Sequence, residues 1–279
     1  MTVSETPPPA RTYILGNDSK EIERLVKQGQ LLSPLMWRLL EDAGVSRGMK
    51  VLDLGCGPGE VSLIAAELVG EEGSVLGIDS NPTAIRWAQS RAQEAHLSQL
   101  AFQVADIRTL ASSQQFDAII GRLILQYIPD PAGALRQLIT HLRPGGLVAF
   151  QEIDIADRVD ISWPSSPLWQ QGWAWIYETY QRAGLEVHTG MKLFSAFLDA
   201  GLPAPQLRCE SVLGTGHEWT GYEILTGVVR GLLPLIQQFG IASSEEVGID
   251  SLTERLRDEV ASANGVVRVP MFVSAWART

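Results

Sequence analysis

The run Val51-Leu52-Asp53-Leu54-Gly55-Cys56-Gly57-Pro58-Gly59-Glu60 gathers the residue types best suited to holding a ligand in this chain. A short apolar strand ends in an acid, a glycine-alternating turn follows, and an amphipathic helix begins. Glycine has no Cβ and tolerates positive φ, so a ligand can come close to the backbone of such a turn. Asp79 follows Gly59 by twenty residues and closes a second apolar stretch, Val75-Leu76-Gly77-Ile78, with Ser80 next to it. In doubly wound α/β folds an acid at the end of the second strand grips a nucleoside ribose. The dinucleotide fingerprint G-x-G-x-x-G is not met, because its third glycine would fall on position 60, which is Glu. Asp53 and Glu60 would set like charges beside a diphosphate, and that costs energy at close range. A nucleoside carrying positive charge and no phosphate suits the turn better. The plain alternative is a βα turn that is merely rich in glycine.

Further along, Val104-Ala105-Asp106-Ile107 ends a third apolar stretch. Adenine offers one exocyclic donor beside ring acceptors, so a carboxylate and the next backbone N–H could read it; the other reading of Asp106 is a helix N-cap. A fourth stretch runs into Gly121-Arg122-Leu123-Ile124-Leu125-Gln126-Tyr127-Ile128-Pro129-Asp130-Pro131, and Leu142-Arg143-Pro144-Gly145-Gly146-Leu147 leads into a fifth. Together these motifs resemble the class I methyltransferases that use S-adenosylmethionine (SAM), a ligand made of adenosine, a sulfonium and an ammonium. The specific motifs lie in 51–154, and the flanking regions match in layout, as in methyltransferases of ubiquinone-like and secondary metabolites. The resemblance implies that Asp53, Gly55, Cys56, Gly57 and Gly59 cradle SAM, with Asp79 and Ser80 at the ribose and Ala105, Asp106 and Ile107 at the adenine. It places Arg122 near the methionyl carboxylate, which a guanidinium can pair bidentately, unless Arg122 caps a loop or pairs with a structural acid. Tyr13-Ile14-Leu15 with Glu21, Arg24, Leu25 and Gln28 resembles the N-terminal lid of those small-molecule methyltransferases, which implies that Tyr13 covers SAM, with Gln30 or Leu31 close by; surface packing is the other reading of Tyr13.

Ligands of open α/β sheets bind beyond the carboxyl ends of the strands, which leaves the acceptor over the fourth and fifth strands. Tyr127, Trp163, Trp169, Trp173 and Tyr177 are the candidate acceptor contacts, and an aromatic-rich cap suits an apolar or aromatic small molecule. Trp169, Trp173 and Trp175 at helical spacing equally suit a plain helical core, and Tyr127 equally suits core packing. Glu152, Asp154 and His188 are the candidate groups to orient or deprotonate an acceptor. Transfer of an already activated methyl group depends mostly on positioning, so a base is needed only when the nucleophile must first lose a proton.

The chain has 279 residues and a formal net charge of −10, and 45% of its residues are hydrophobic, enough for a substantial core. The acidity and the lack of a basic stripe argue against a nucleic-acid partner. No apolar run has transmembrane length and no signal peptide is seen, so a cytoplasmic location is expected. The two cysteines, Cys56 and Cys209, are far apart and expected to be reduced. His96, His141, His188 and His217 form no ligand-spaced cluster, so no metal is expected.

The supporting elements follow from periodicity. Two helices are expected over Ser19–Leu32 and Ser33–Ala43, the second opened by Ser-Pro, with Glu21, Glu23, Arg24 and Lys27 facing water. Strands are expected at Val51–Leu54, Val75–Asp79, Leu100–Ala105, Phe116–Gly121, Leu147–Ile153, Gln206–Leu213 and Val266–Ala277, with helices after the first, second and fourth. The predicted class is α/β: a Rossmann-like, seven-stranded, mostly parallel sheet with helices on both faces, an antiparallel last strand and helical cap insertions. The expected layout is one structural domain: a flexible N-terminus over 1–18, a helical lid over 19–50, a SAM-binding core over 51–155 and a helical cap over 156–205. Residues 206–279 complete the sheet around a second helical insertion at 217–263. The favoured function is methyl transfer from SAM to a small, hydrophobic or aromatic metabolite, at O, N or C. A SAM-binding enzyme of cyclisation or pericyclic chemistry stands second, and a protein or RNA methyltransferase third. Sequence does not separate a monomer from a homo-oligomer.

Overall fold

The computed structural model of the chain describes residues 13–16, 18–110 and 114–279. Residues 1–12, most of the flexible start expected from sequence, lie outside them. Helix α1 (Ser19–Ala43) precedes the alternation β1 (Lys50–Leu54), α2 (Glu60–Val69), β2 (Ser74–Asp79), α3 (Pro82–Glu94), β3 (Leu100–Val104) and β4 (Phe116–Arg122). A 3-10 turn (Leu125–Tyr127), α4 (Pro131–Leu138), a second 3-10 turn (Ile139–His141) and β5 (Leu142–Ile153) follow. Then come β6 (Ser162–Trp163), α5 (Pro167–Arg182), α6 (Thr189–Asp199), β7 (Gln206–Glu210) and β8 (Leu213–Thr215). The chain closes with α7 (Gly221–Gln238), α8 (Ser244–Val247), α9 (Leu252–Ser262), β9 (Val266–Arg268) and β10 (Phe272–Arg278).

Seven strands form one sheet in the order β3-β2-β1-β4-β5-β10-β7. The pairs from β3 to β5 are all parallel, and β10 runs antiparallel to both β5 and β7. This is the expected doubly wound sheet with a reversed last strand. Its inner strands β1, β4, β5 and β10 are buried on both sides because both sides are covered. Leu52, Ile119 and Phe150 face α4 and α6, packing with Leu135, Leu138, Leu193 and Phe197. Their chain neighbours Val51, Ile120 and Ala149 point the other way, toward Met36, Leu39 and Leu40 of α1 and Ala65 of α2. A third cluster lies beyond the strand ends, where α1, α5, α7 and α9 bury Trp169, Trp173, Tyr222, Leu225, Leu232 and Leu256. The strand order reverses between β1 and β4, and ligands of such sheets sit in the crevice at that switch.

Four expectations need correcting. The two N-terminal helices are one, with Pro34 inside α1. An interior proline costs about 3 kcal/mol. Burial of Leu32, Leu35, Met36, Leu39 and Leu40 against two clusters offsets it, since a fully buried Leu or Met contributes about 1.5–3 kcal/mol. The predicted last strand is two strands in two sheets. Pro270 cannot donate to a ladder; before it, β9 pairs with β6 and β8 in a separate three-stranded sheet, and after it β10 joins the main sheet. For the same reason the predicted strand Gln206–Leu213 stops at Glu210, and Leu213 belongs to β8. Glu21 and Arg24 are buried, at 5% and 7% exposure, not solvated.

Candidate functional site

A cavity of about 300 Å³ opens at the switch between β1 and β4 and continues under α1 and α5. Its two halves differ in origin. The strand-end half is lined by the turns after β1, β2, β3 and β4; the cap half is lined by side chains of α1, α5 and α7 and of the loop after β4.

In the strand-end half, the β1–α2 turn is shaped by glycine. Gly57 has φ +53°, and a Cβ there would meet nothing within 4 Å, so the backbone faces open space. Its N–H donates to Asp79 Oδ2 at 2.9 Å, while Asp79 Oδ1 accepts from the Asn81 N–H at 2.8 Å. The acid at the end of β2 therefore ties two turns together, and burial pushes its carboxyl up from the usual range. Each carboxylate oxygen has a further lone pair for a ligand hydroxyl. Asp53 lies beneath, 1% exposed, and accepts from Ser62 Oγ at 2.5 Å. Burial pushes it up to about 7, opposed by the Ser62 hydroxyl and the Arg122 guanidinium. Arg122, at the end of β4, is lowered by burial, offset by Glu60 and Asp53. Its Nη1 is buried with no hydrogen-bond partner among the described residues. Glu60 is itself paired with Arg91 Nη2 at 2.6 Å.

The structure brings Tyr13, Asp53, Gly55, Cys56, Gly57, Asp79, Ser80, Ala105, Asp106, Ile107 and Arg122 to the wall of one cavity. Gly59 is an exception. It has φ +88°, and its Cβ would come 2.9 Å from Phe102 and 3.1 Å from Ala88, so glycine there serves packing of α3 and β3 against the turn. Asp106 is at the wall, but its carboxylate is engaged: Arg108 donates to it from Nε at 3.0 Å and Nη2 at 2.5 Å, which holds it below the usual carboxylate range. Pro58, Glu60, Val61, Asn81, Ala84 and Arg108 also line this half.

The cap half overturns more of the expectations. Tyr127 and Trp173 line it, but Trp163, Trp169 and Tyr177 do not. Trp163 is 81% exposed on β6. Trp169 is fully buried among Trp173, Trp219 and Tyr222, with Nε1 donating to the Arg268 carbonyl at 3.1 Å. Tyr177 lies under Arg158, whose guanidinium carbon is 4.1 Å from the ring centroid. The cavity-facing residues of α5 are Trp173, Ile176 and Tyr180, spaced i, i+3, i+7, and Tyr177, the residue after Ile176, falls off that stripe. On α1 the lining residues are Arg24, Leu25 and Gln28, not Gln30 or Leu31. Arg24 donates to both Glu21 oxygens at 2.7 Å and to Gln28 at 2.6 Å, and the Tyr13 hydroxyl donates to Glu21 as well. Arg24, Leu25 and Gln28 are among the residues that carry the lid resemblance, whereas helical spacing alone marks a solvated face equally well.

Neither expected catalytic group lines the cavity. Glu152 is fully buried at the end of β5, where Oε1 accepts the backbone N–H groups of Ile124 (2.9 Å) and Leu125 (2.8 Å). Burial pushes it up to about 8, so it is largely neutral at pH 7 and holds the post-β4 loop in place. That loop begins with Leu123 at φ +56°, an uncommon conformation for a branched residue that such anchoring maintains. His188 is half exposed at the start of α6, with Nδ1 3.4 Å from Asp154, and Asp154 also accepts the Met191 N–H at 3.2 Å. These two cap α6 on the far side of β5. Among the described residues no helix is long and apolar enough to cross a membrane.

Comparison with known proteins bears on this geometry. The model of a methyltransferase-domain family matches residues 45–184, half of the chain. The chain is 35% identical over 122 residues to aklanonic acid methyltransferase DauC of Streptomyces sp. (strain C5), covering 43% of this chain and 56% of that protein. It is 33% identical over 125 residues to a ubiquinone biosynthesis O-methyltransferase of Albidiferax ferrireducens, covering 44% and 48% respectively. The chain thus spans about half the length of the curated relatives it matches. A SAM-dependent methyltransferase structure from Aquifex aeolicus superposes with a TM-score of 0.51 at 19% identity, over 70% of this chain and 92% of that one; it shares the fold.

Proposed function

The chain belongs to the methyltransferase-domain family, and on that premise we propose that it moves a methyl group from SAM to a small apolar or aromatic metabolite. The observation that carries the proposal is the continuity of the cavity, which joins a nucleoside-shaped strand-end half to an apolar chamber under the cap. Bound SAM supplies a methyl group already activated on a sulfonium. The chain's residues bind, orient and desolvate. Gly57 lets the ligand reach the backbone, and Asp79 accepts from ribose hydroxyls with the lone pairs left by Gly57 and Asn81. The unpartnered Nη1 of Arg122 fits a methionyl carboxylate, and Asp53 beside it fits the ammonium. Asp106 and the Ala105–Ile107 backbone face the adenine, with Arg108 sharing or yielding the carboxylate. Leu15, Leu123, Ile153, Ile155, Ile176 and Val228 exclude water around the acceptor. One relative is named for aklanonic acid and another for ubiquinone biosynthesis, which supports a small-molecule acceptor.

Calorimetry with SAM and with S-adenosylhomocysteine tests the binding half of the proposal. Affinity in the micromolar range is expected, and no heat at high-micromolar ligand would sink it. Methyl-labelled SAM with candidate acceptors tests the reaction: label moving to product is expected, whereas product formed with label still on the donor would mark cyclisation chemistry.

A further inference from the structure

Resting on the methyl-transfer reading, we infer that the cap half selects an apolar acceptor whose reacting oxygen arrives already ionised, an acidic phenol or enol, held by the Tyr127–Tyr180 hydroxyl pair without a protein base.

Among the described residues, no carboxylate and no imidazole lines the cap half of the cavity. Its one cation, Arg24, is spent on Glu21 and Gln28, and Glu21 takes a further donor from Tyr13, so this group is closed and close to neutral. Glu152 and His188, the other acids and bases near β5, lie off the cavity. The side-chain polar groups that remain are the Tyr hydroxyls, the Trp173 indole and the amides of Gln28 and Gln126, and an amide is not a base. Tyr127 and Tyr180 meet with oxygens 3.3 Å apart, longer than the usual roughly 2.5–3.0 Å for O–H···O. Two hydroxyl protons are present and at most one is spent between them, so the pair keeps one to donate. Burial holds both phenols above their ordinary range, so at neutral pH they donate rather than abstract. Trp173, on the same stripe of α5 as Tyr180, has a buried Nε1 without a hydrogen-bond partner among the described residues, and an indole N–H can only donate.

A chamber with donors and no base suits a nucleophile that needs no deprotonation inside it. A delocalised phenolate or enolate pays less to leave water than a localised charge and gains a charge-assisted hydrogen bond from a phenol. One O–C bond forms at the acceptor oxygen as the methyl carbon–sulfur bond breaks, and the bonding pair leaves with sulfur. The acceptor's proton has already gone to solvent, so charge and protons balance without a group from the chain.

The test uses the full chain loaded with S-adenosylhomocysteine and four probes of one shape: a nitronaphthol, a naphthol, a naphthoic acid and a naphthylamine. Calorimetry is expected to rank the nitronaphthol first, with affinity rising with pH through the probe's own ionisation. Tyr180→Phe and Tyr127→Phe are each expected to weaken the nitronaphthol about tenfold, the scale of one hydrogen bond to a charged group, and to leave the naphthylamine and S-adenosylhomocysteine affinities unchanged. The unchanged cofactor affinity shows that the variants are folded. Nitronaphthol affinity unchanged from wild type in both variants, or preference for the amine or the carboxylate, would overturn the inference. Failure of S-adenosylhomocysteine to bind the wild-type chain would instead strike the methyl-transfer reading beneath it.

Discussion

The two halves of the cavity are built by different rules. The strand-end half is made of backbone turns and acids placed by the sheet: Gly57, Asp79, Asp53 and Arg122 each stand at the carboxyl end of a strand, within a few residues of its last ladder bond. The cap half is made of side chains from helices far apart in sequence, with Tyr13 and Arg24 meeting Tyr127 and Tyr180 only through packing. One half is rigid because a seven-stranded sheet holds it, and it serves a ligand of fixed shape. The other depends on how an aromatic cluster seats α5 against α7, and can be reshaped without touching the sheet.

Damage to the cap's core should separate the halves most strongly. Trp169→Ala empties a fully buried site and removes the bond to the Arg268 carbonyl, with an expected loss of about 3–5 kcal/mol of stability. Thermal melting should show that loss, while S-adenosylhomocysteine affinity, measured well below the lowered midpoint, stays near wild type. Cofactor affinity falling in step with stability would show that the halves are one cooperative unit. Asp79→Ala makes the converse cut. It removes the tie between Gly57 and Asn81 along with the ribose acceptor, and should weaken S-adenosylhomocysteine by roughly tenfold to a hundredfold by calorimetry. Acceptor-probe binding under the cap should be less affected. The last effect is on stability alone and belongs to the joint between the halves. Glu152 rises from 4.5 unfolded to about 8 folded, so the folded state holds a proton that the unfolded state releases. Its contribution to stability is complete below about pH 4.5 and is lost as pH climbs through about 8. Glu152→Gln, neutral at every pH, should match wild type below about pH 4.5 and lose less stability than wild type as pH rises from there to about 8; an unchanged slope across that window would mean that Glu152 titrates normally.

Legibility from sequence follows the same division. Asp53, Gly55, Gly57, Asp79 and Arg122 could be read because turn chemistry is local: an acid and glycines at fixed spacing from an apolar strand allow few arrangements. Gly59 was legible as a required glycine but not as a packing one, since only the fold brings Phe102 to it. In the cap, Tyr177 and Tyr180 have the same chemistry, and a rotation of α5 by one residue decides which meets the cavity. Glu21 and Arg24 resemble any solvated i, i+3 pair until Tyr13 and Gln28 close over them. Trp163 and Trp169 belong to one aromatic-rich stretch, yet one is exposed and the other is core. Pro270, which divides the last predicted strand between two sheets, was visible, but the second sheet that receives β9 was not.

Pro34 makes α1 energetically two rods in one. The proline has no N–H to give to the Gln30 carbonyl, so one rung of the helical ladder is missing at the point where the helix changes company. Ahead of it, Arg24 lies on Gly227, and Lys27 pairs with Glu223 of α7; behind it, Met36, Leu39 and Leu40 belong to the sheet's own core. Helical order need not propagate across that gap. Amide exchange along α1 would then fall into two classes divided at position 34, fast on the cavity side and slow on the sheet side.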